Sequence, residues 1–71
     1  MRIVDDTNLT PREKDIVMLI IQGKNKQEIA GSLFLSVSTI KTNIEHIYQK
    51  FEVHNKVELV VYLVKNNIVE I

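Results

Sequence analysis

The sequence has no cysteine, one proline, two glycines and no net charge over its 71 residues. Without cysteine, disulfides and thiolate metal sites are excluded, and these are two of the supports on which a core this small often leans. The absence is compatible with a reducing compartment. So little proline and glycine points to helices joined by short turns. There is no glycine-rich loop of the kind that cradles a nucleotide phosphate. No apolar run approaches the roughly 18 residues that span a bilayer, and the N-terminus lacks the basic-then-apolar pattern of a secretion signal. A cytoplasmic domain with no membrane partner is expected. Nine Lys and Arg offset nine Asp and Glu, so the basic surplus usual in nucleic-acid binders is missing.

What is present is a foldable chain, 45% hydrophobic, which is too apolar for disorder. Its charge is uneven. Residues 24–56 hold five Lys (Lys24, Lys26, Lys41, Lys50, Lys56) against three Glu (Glu28, Glu45, Glu52), a local +2. The remainder holds four basic and six acidic residues, a balance of −2. The middle also carries both histidines, His46 and His54.

Residues 1–8 (MRIVDDTN) read as a polar lead-in or the end of a linker, followed by one domain over 9–71. Four helix-start signals punctuate that domain. Thr10-Pro11 with Glu13 is a capping box with proline at the first helical position, and Gly23 is a natural stop; a helix is expected over about 11–22. Asn25 with Glu28 repeats the signal for a helix over about 26–33. Ser36 caps a third helix over about 37–51, in which Val37, Ile40, Ile44, Ile47 and Phe51 form one apolar stripe of a 3.6-residue period. Asn55 with Glu58 opens a fourth helix over about 56–66. The tail Ile68-Val69-Glu70-Ile71 reads as a short extended end. The fold class is all-α, four helices.

The second and third helices are separated by so short a turn that they read as a helix-turn-helix, in which the later helix enters the DNA major groove. Opposite the apolar stripe, the third helix presents Ser38, Thr42, Glu45, His46 and Gln49, with Lys41 at the edge. Short polar and basic groups on such a face suit base-edge hydrogen bonding. The same face could equally be only a solvated surface. Phe34 sits in the turn, where a bulky residue is strained if its φ is positive.

The segment from Leu9 to Ile68 resembles the LuxR/FixJ-type (GerE-like) DNA-binding domain of bacterial transcription regulators. The resemblance rests on Leu9-Thr10-Pro11-Arg12-Glu13, Gly23, Asn25-Lys26, Glu28-Ile29-Ala30, Ser36, Thr39-Ile40-Lys41-Thr42, Ile44 and Lys50 in order. It implies a sequence-specific double-stranded DNA binder, the output domain of a response regulator in a two-component system, with helix three as recognition helix and a homodimer through helix four. RNA polymerase is a further candidate partner. The resemblance and the outer face together assign base reading to Lys41, Thr42, Glu45 and Ser38. DNA-backbone contacts fall to Asn25, Lys26, Thr39, Asn43, His46, Lys50 and Lys56. Glu45 stands where a neutral or basic residue is frequent, Asn43 where His is common, and Lys56 where Arg is usual, which loses the bidentate phosphate fork.

Helix four is apolar nearly all round. Leu59, Val60 and Leu63 can face the core, which leaves Val57, Val61 and Val64 as a second face suited to association. His46 and His54 are eight residues apart with no accompanying ligand cluster, so no metal, cofactor or catalytic pair is expected, and no enzyme. A sigma-factor-like module shares part of the pattern, but the Leu9–Glu13 opening favours the LuxR type. The alternative from another class is a protein-interaction module that kept this fold and lost DNA binding, an idea motivated by zero net charge, Glu45 and the apolar fourth helix.

Overall fold

A computed structural model describes residues 2–3 and 9–70, and the side chains of residues 9–68. The elements run β1 (Arg2–Ile3), α1 (Pro11–Ile21), α2 (Lys26–Leu33), α3 (Val37–Phe51), α4 (Lys56–Lys65) and β2 (Val69–Glu70). The fold is the expected all-α domain of four helices. The bounds of α2 and α3 match the sequence reading, and α1 and α4 each end one residue earlier. The extended tail is present too: β2 pairs antiparallel with β1, with Arg2 opposite Glu70 and Ile3 opposite Val69. The rest of the lead-in, residues 1 and 4–8, lies outside the described residues.

Each helix begins as its capping residue dictates. Thr10 Oγ1 accepts from the Glu13 backbone N–H at 3.1 Å while Glu13 Oε1 accepts from the Thr10 N–H at 2.9 Å. Asn25 and Glu28 repeat this reciprocal arrangement at 2.8 and 2.9 Å. Ser36 Oγ accepts from the Thr39 N–H. At α4 only half of the box forms. Asn55 Oδ1 accepts from the Glu58 N–H, but the Glu58 carboxylate reaches back one residue further, to the His54 N–H at 2.8 Å. A full box satisfies two of the four otherwise unpaired first-turn N–H groups and a single cap satisfies one, and each such cap is worth about 1 kcal/mol.

The helix ends share one geometry. Gly23, Phe34, Glu52 and Asn67 all have positive φ, between 56° and 89°. In each case the next residue donates its N–H to the carbonyl five residues back: Lys24 to Leu19, Leu35 to Ala30, Val53 to Tyr48 and Ile68 to Leu63, at 2.9–3.1 Å. This is the Schellman closure, which normally recruits glycine at the left-handed position. Here only the first uses it. The strain anticipated for Phe34 is therefore present (φ 58°, ψ 42°), at a cost of about 1–2 kcal/mol relative to glycine. The closure also turns Leu35, Val53 and Ile68 back onto the core, and that burial offsets the strain.

The core is built from Leu9, Ile16, Val17, Ile20, Ile29, Ala30, Ile40, Ile44, Ile47, Leu59, Leu63 and Ile68. Ile40 and Ile47 are fully buried, so the stripe read on α3 is the seat of that helix. Val37, counted in the same stripe, stands 40% exposed at the first helical position.

One charged residue joins this core. Glu13 is only 4% exposed, and its Oε1, already bonded to Thr10, also accepts from Lys50 Nζ at 2.5 Å. Lys50 is in the last turn of α3, so one carboxylate ties the start of α1 to the end of α3. Burial alone would raise the Glu13 pKa. The hydrogen bonds from Lys50 and the Thr10 backbone, with the Lys50 charge, outweigh it and hold the carboxyl below its ordinary value. An acid with a depressed folded-state pKa contributes stability above its unfolded pKa and loses it as pH falls through the folded value. Glu13→Gln should accordingly lower stability by about 1–3 kcal/mol near neutral pH. In urea unfolding at stepped pH, the gap between parent and variant should start to narrow as pH falls through about 4 and close only below that.

Candidate nucleic-acid interface

The outer face of α3 follows from its inner one. With Ile40, Ile44 and Ile47 turned to the core, a 100° step per residue points Ser38, Thr42, Glu45 and Gln49 away from it. All four are exposed, as are Lys41 and His46 at the margins. Nothing else in the described chain covers this face, so the base-reading set chosen from the sequence shares one accessible surface.

Local hydrogen bonds tune what that surface offers. The Thr42 hydroxyl donates to the Ser38 carbonyl at 3.1 Å. Its proton is thus engaged, and it presents lone pairs and a methyl group. Asn43 Nδ2 donates to the Thr39 carbonyl at 2.8 Å, leaving one amide N–H and the carbonyl oxygen. Ser36 Oγ donates to Thr39 Oγ1 at 2.9 Å, which leaves the Thr39 proton available as a donor. Among the described residues no ion pair engages Lys41 or Glu45, although they stand four apart on the helix.

Beside this face lies a cleft of about 200 Å³ lined by Ile20, Lys24, Asn25, Lys26, Ile29, Ile44, Tyr48 and Lys56. It gathers three lysines: Lys24 from the turn between α1 and α2, Lys26 from the start of α2, and Lys56 from the start of α4. No carboxylate lines it. The sequence reading chose Asn25, Lys26 and Lys56 for backbone contacts, and the fold brings these three together. It missed Lys24 and Tyr48. The spacing held a signal for Tyr48, which is four residues after Ile44 and seven after Lys41, on the flank of α3 between the core stripe and the outer face. Burial pushes the Tyr48 phenol above its ordinary pKa.

Lys26 and Lys56 occupy the first positions of α2 and α4. There the macrodipole is positive, and a cation is disfavoured by about 0.3–1 kcal/mol. Among the described residues, neither has an acidic partner. Both line the cleft together with Lys24, so two cations in unfavourable helical positions are gathered with a third.

Lys50 stands apart from the rest of the backbone-contacting set, because its ammonium is held by Glu13. His46 is exposed on the outer margin. His54 lies at the opening of α4, 3.3 Å from Glu58. Val57, Val61 and Val64 are 70%, 57% and 40% exposed along α4. Among the described residues no group of three His, Asp or Glu could hold a metal ion, and no helix is long and apolar enough to cross a membrane.

The lysine placement has a measurable consequence. Lys56→Gln should raise stability by about 0.3–1 kcal/mol at low salt, by removing a cation from a helix start and from a like-charged cluster. Urea midpoints for parent and variant should converge as salt is added.

Comparison with known proteins adds to this geometry. Residues 7–63 match the family model described as bacterial regulatory proteins, luxR family. The chain is 36% identical over 62 residues to the response regulator protein VraR of Staphylococcus aureus, and equally to those of Staphylococcus saprophyticus and Staphylococcus epidermidis. Each alignment covers 87% of this chain and 30% of the relative, so the chain spans about a third of the length of these regulators.

Proposed function

Because the chain belongs to the luxR family of bacterial regulatory proteins, DNA-binding regulators rather than enzymes, we propose that it reads double-stranded DNA as a two-fold dimer, as the output domain of a response regulator. In this reading α3 lies in the major groove. Lys41 reaches guanine O6 and N7 or a nearby phosphate. Thr42, its proton engaged by Ser38, accepts from adenine N6 or cytosine N4 or meets a thymine methyl. Glu45 accepts from cytosine N4, and Ser38 serves as a small donor or acceptor near the helix start. Asn25, Lys26, Thr39, Asn43, His46 and Lys56 hold the backbone on either side. Lys50 contributes through Glu13, by fixing how the far end of α3 leaves the core. The setting is the cytoplasm, with RNA polymerase as the second partner at a promoter.

The observation that carries this reading is the three-lysine cleft beside the polar face of α3. A protein with no net charge has concentrated uncompensated cations against one surface. That arrangement suits a polyanion whose affinity comes from phosphate neutralisation.

The dimer rests on α4. Val57 and Val61, four residues apart, form an exposed apolar ridge. A shallow groove of about 260 Å³ lies on one side, lined by Ile20, Gly23, Lys56, Val57, Val60 and Val61. Another of about 360 Å³ lies on the other, lined by Val53, Val57, Glu58, Val61, Tyr62 and Lys65. A ridge flanked by grooves is self-complementary across a two-fold axis, since each copy's ridge can seat in its partner's groove. Val64 extends the apolar surface by one turn.

Two experiments test these assignments. Lys41→Ala should weaken binding to specific duplex DNA by about 1–3 kcal/mol in a fluorescence titration; an unchanged Kd removes Lys41 from the base-reading set. Sedimentation of the parent should reveal self-association that Val61→Asp abolishes, and a monomeric parent, free and on DNA, defeats the α4 interface. If the parent binds no duplex even at low salt, an interaction module with α4 as its surface is the better description.

A further inference from the structure

We infer that the Tyr48 hydroxyl, with Lys24 beside it, holds a backbone phosphate of the bound DNA in the lysine-lined cleft, so that α3 grips the duplex by its flank as well as its outer face. The inference rests on the DNA-reading function proposed above and extends it to two residues outside the expected contact set.

Three observations converge. The first is composition. The cleft has a floor of Ile20, Ile29 and Ile44, a rim of lysines, and no carboxylate. Its electrostatics call for an anion, and its floor accepts a compact, partly apolar one such as a sugar-phosphate.

The second is the state of Tyr48. The ring is half-buried against the core, and among the described residues no group donates to or accepts from its hydroxyl. Burial disfavours the phenolate, so the phenol keeps its proton and can donate to a phosphate oxygen. A neutral hydroxyl donating to an anionic oxygen makes one of the stronger kinds of hydrogen bond.

The third is position. Tyr48 is seven residues beyond Lys41, two helical turns, or about 10 Å along the axis on the same flank. The major groove is about 12 Å wide. With the outer face of α3 toward the bases, one strand of the backbone passes along the flank that Lys41 and Tyr48 share.

A tyrosine contact has a signature that a lysine contact lacks. Lysine neutralises a phosphate and releases counterions, which adds to the slope of log Kd against log salt; a neutral hydroxyl adds affinity without that slope. The parent, Tyr48→Phe and Lys24→Ala are titrated into fluorescent mixed-sequence duplex across a range of salt. Tyr48→Phe should bind about five- to twentyfold more weakly with an unchanged slope. Lys24→Ala should bind more weakly with a slope reduced by about one. Because Phe could disturb packing, the comparison is repeated on duplexes carrying a single neutral methylphosphonate at successive positions. At one position the difference between parent and Tyr48→Phe should close.

Unchanged affinity of Tyr48→Phe overturns the inference, as does a loss that no methylphosphonate position closes. Inorganic phosphate that shifts the Lys24 and Tyr48 resonances, while Tyr48→Phe leaves DNA binding intact, overturns it in favour of a free anion. A parent that binds DNA and weakens with Lys41→Ala but not with Tyr48→Phe removes this inference alone. A parent that binds no DNA removes the functional reading with it.

Discussion

The Glu13 carboxylate is the point on which the arrangement of helices turns. It completes the capping box of α1 and, with the same oxygen, bonds Lys50 at the far end of α3. A buried carboxylate is tolerable only when its bonds are satisfied. The core therefore closes properly only when the start of α1 and the last turn of α3 are in register. Apolar packing by itself is permissive about such registers, because neighbouring arrangements of Ile and Val bury similar areas. A charged pair is not permissive. In a domain without disulfides, this polar contact links the start of α1 to the last turn of α3, the helix whose polar face is exposed.

The repeated helix ending has a related role. Each helix stops at a left-handed residue, and the following residue swings back to close the last turn. The direction in which the chain leaves is thereby fixed four times in one small domain. That Phe34, Glu52 and Asn67 occupy positions suited to glycine means the sequence tolerates local strain at three of the four ends. The compensation comes from Leu35, Val53 and Ile68, which the closure returns to the core. Phe34 itself remains 95% exposed, so the side chain that bears the strain in the turn before α3 gains nothing from packing there.

Charge placement shows a conflict between stability and binding. The first positions of α2 and α4 are where an acid would stabilise and a lysine does the opposite. Both hold lysines, and both lysines line the cleft that also receives Lys24. The net charge of zero hides this, because the compensating acids lie elsewhere: Glu13 is sealed in the core, and Glu28 and Glu58 are bonded to backbone at helix starts. A neutral total is therefore a poor guide to the potential at one surface.

The four helices are legible in the residues alone, with bounds within one residue of those observed. Caps and stops act within a few residues, and the 3.6-residue period of Ile40, Ile44 and Ile47 fixes which side of α3 is inside. The polar outer face of α3 follows from the same period, and the exposed valines of α4 follow from its second apolar stripe. Which distant residues meet depends instead on how the helices pack. Lys50 looked like one more cation near DNA, because nothing local to it reveals that Glu13, 37 residues earlier, will lie against it. Lys24 and Tyr48 looked unremarkable for the same reason: one belongs to a turn and the other to the flank of a helix, and they become neighbours only once α1, α3 and α4 have packed. Local hydrogen bonds and periodicity are written in short windows of sequence, whereas a cleft formed between elements is a property of how those elements cross.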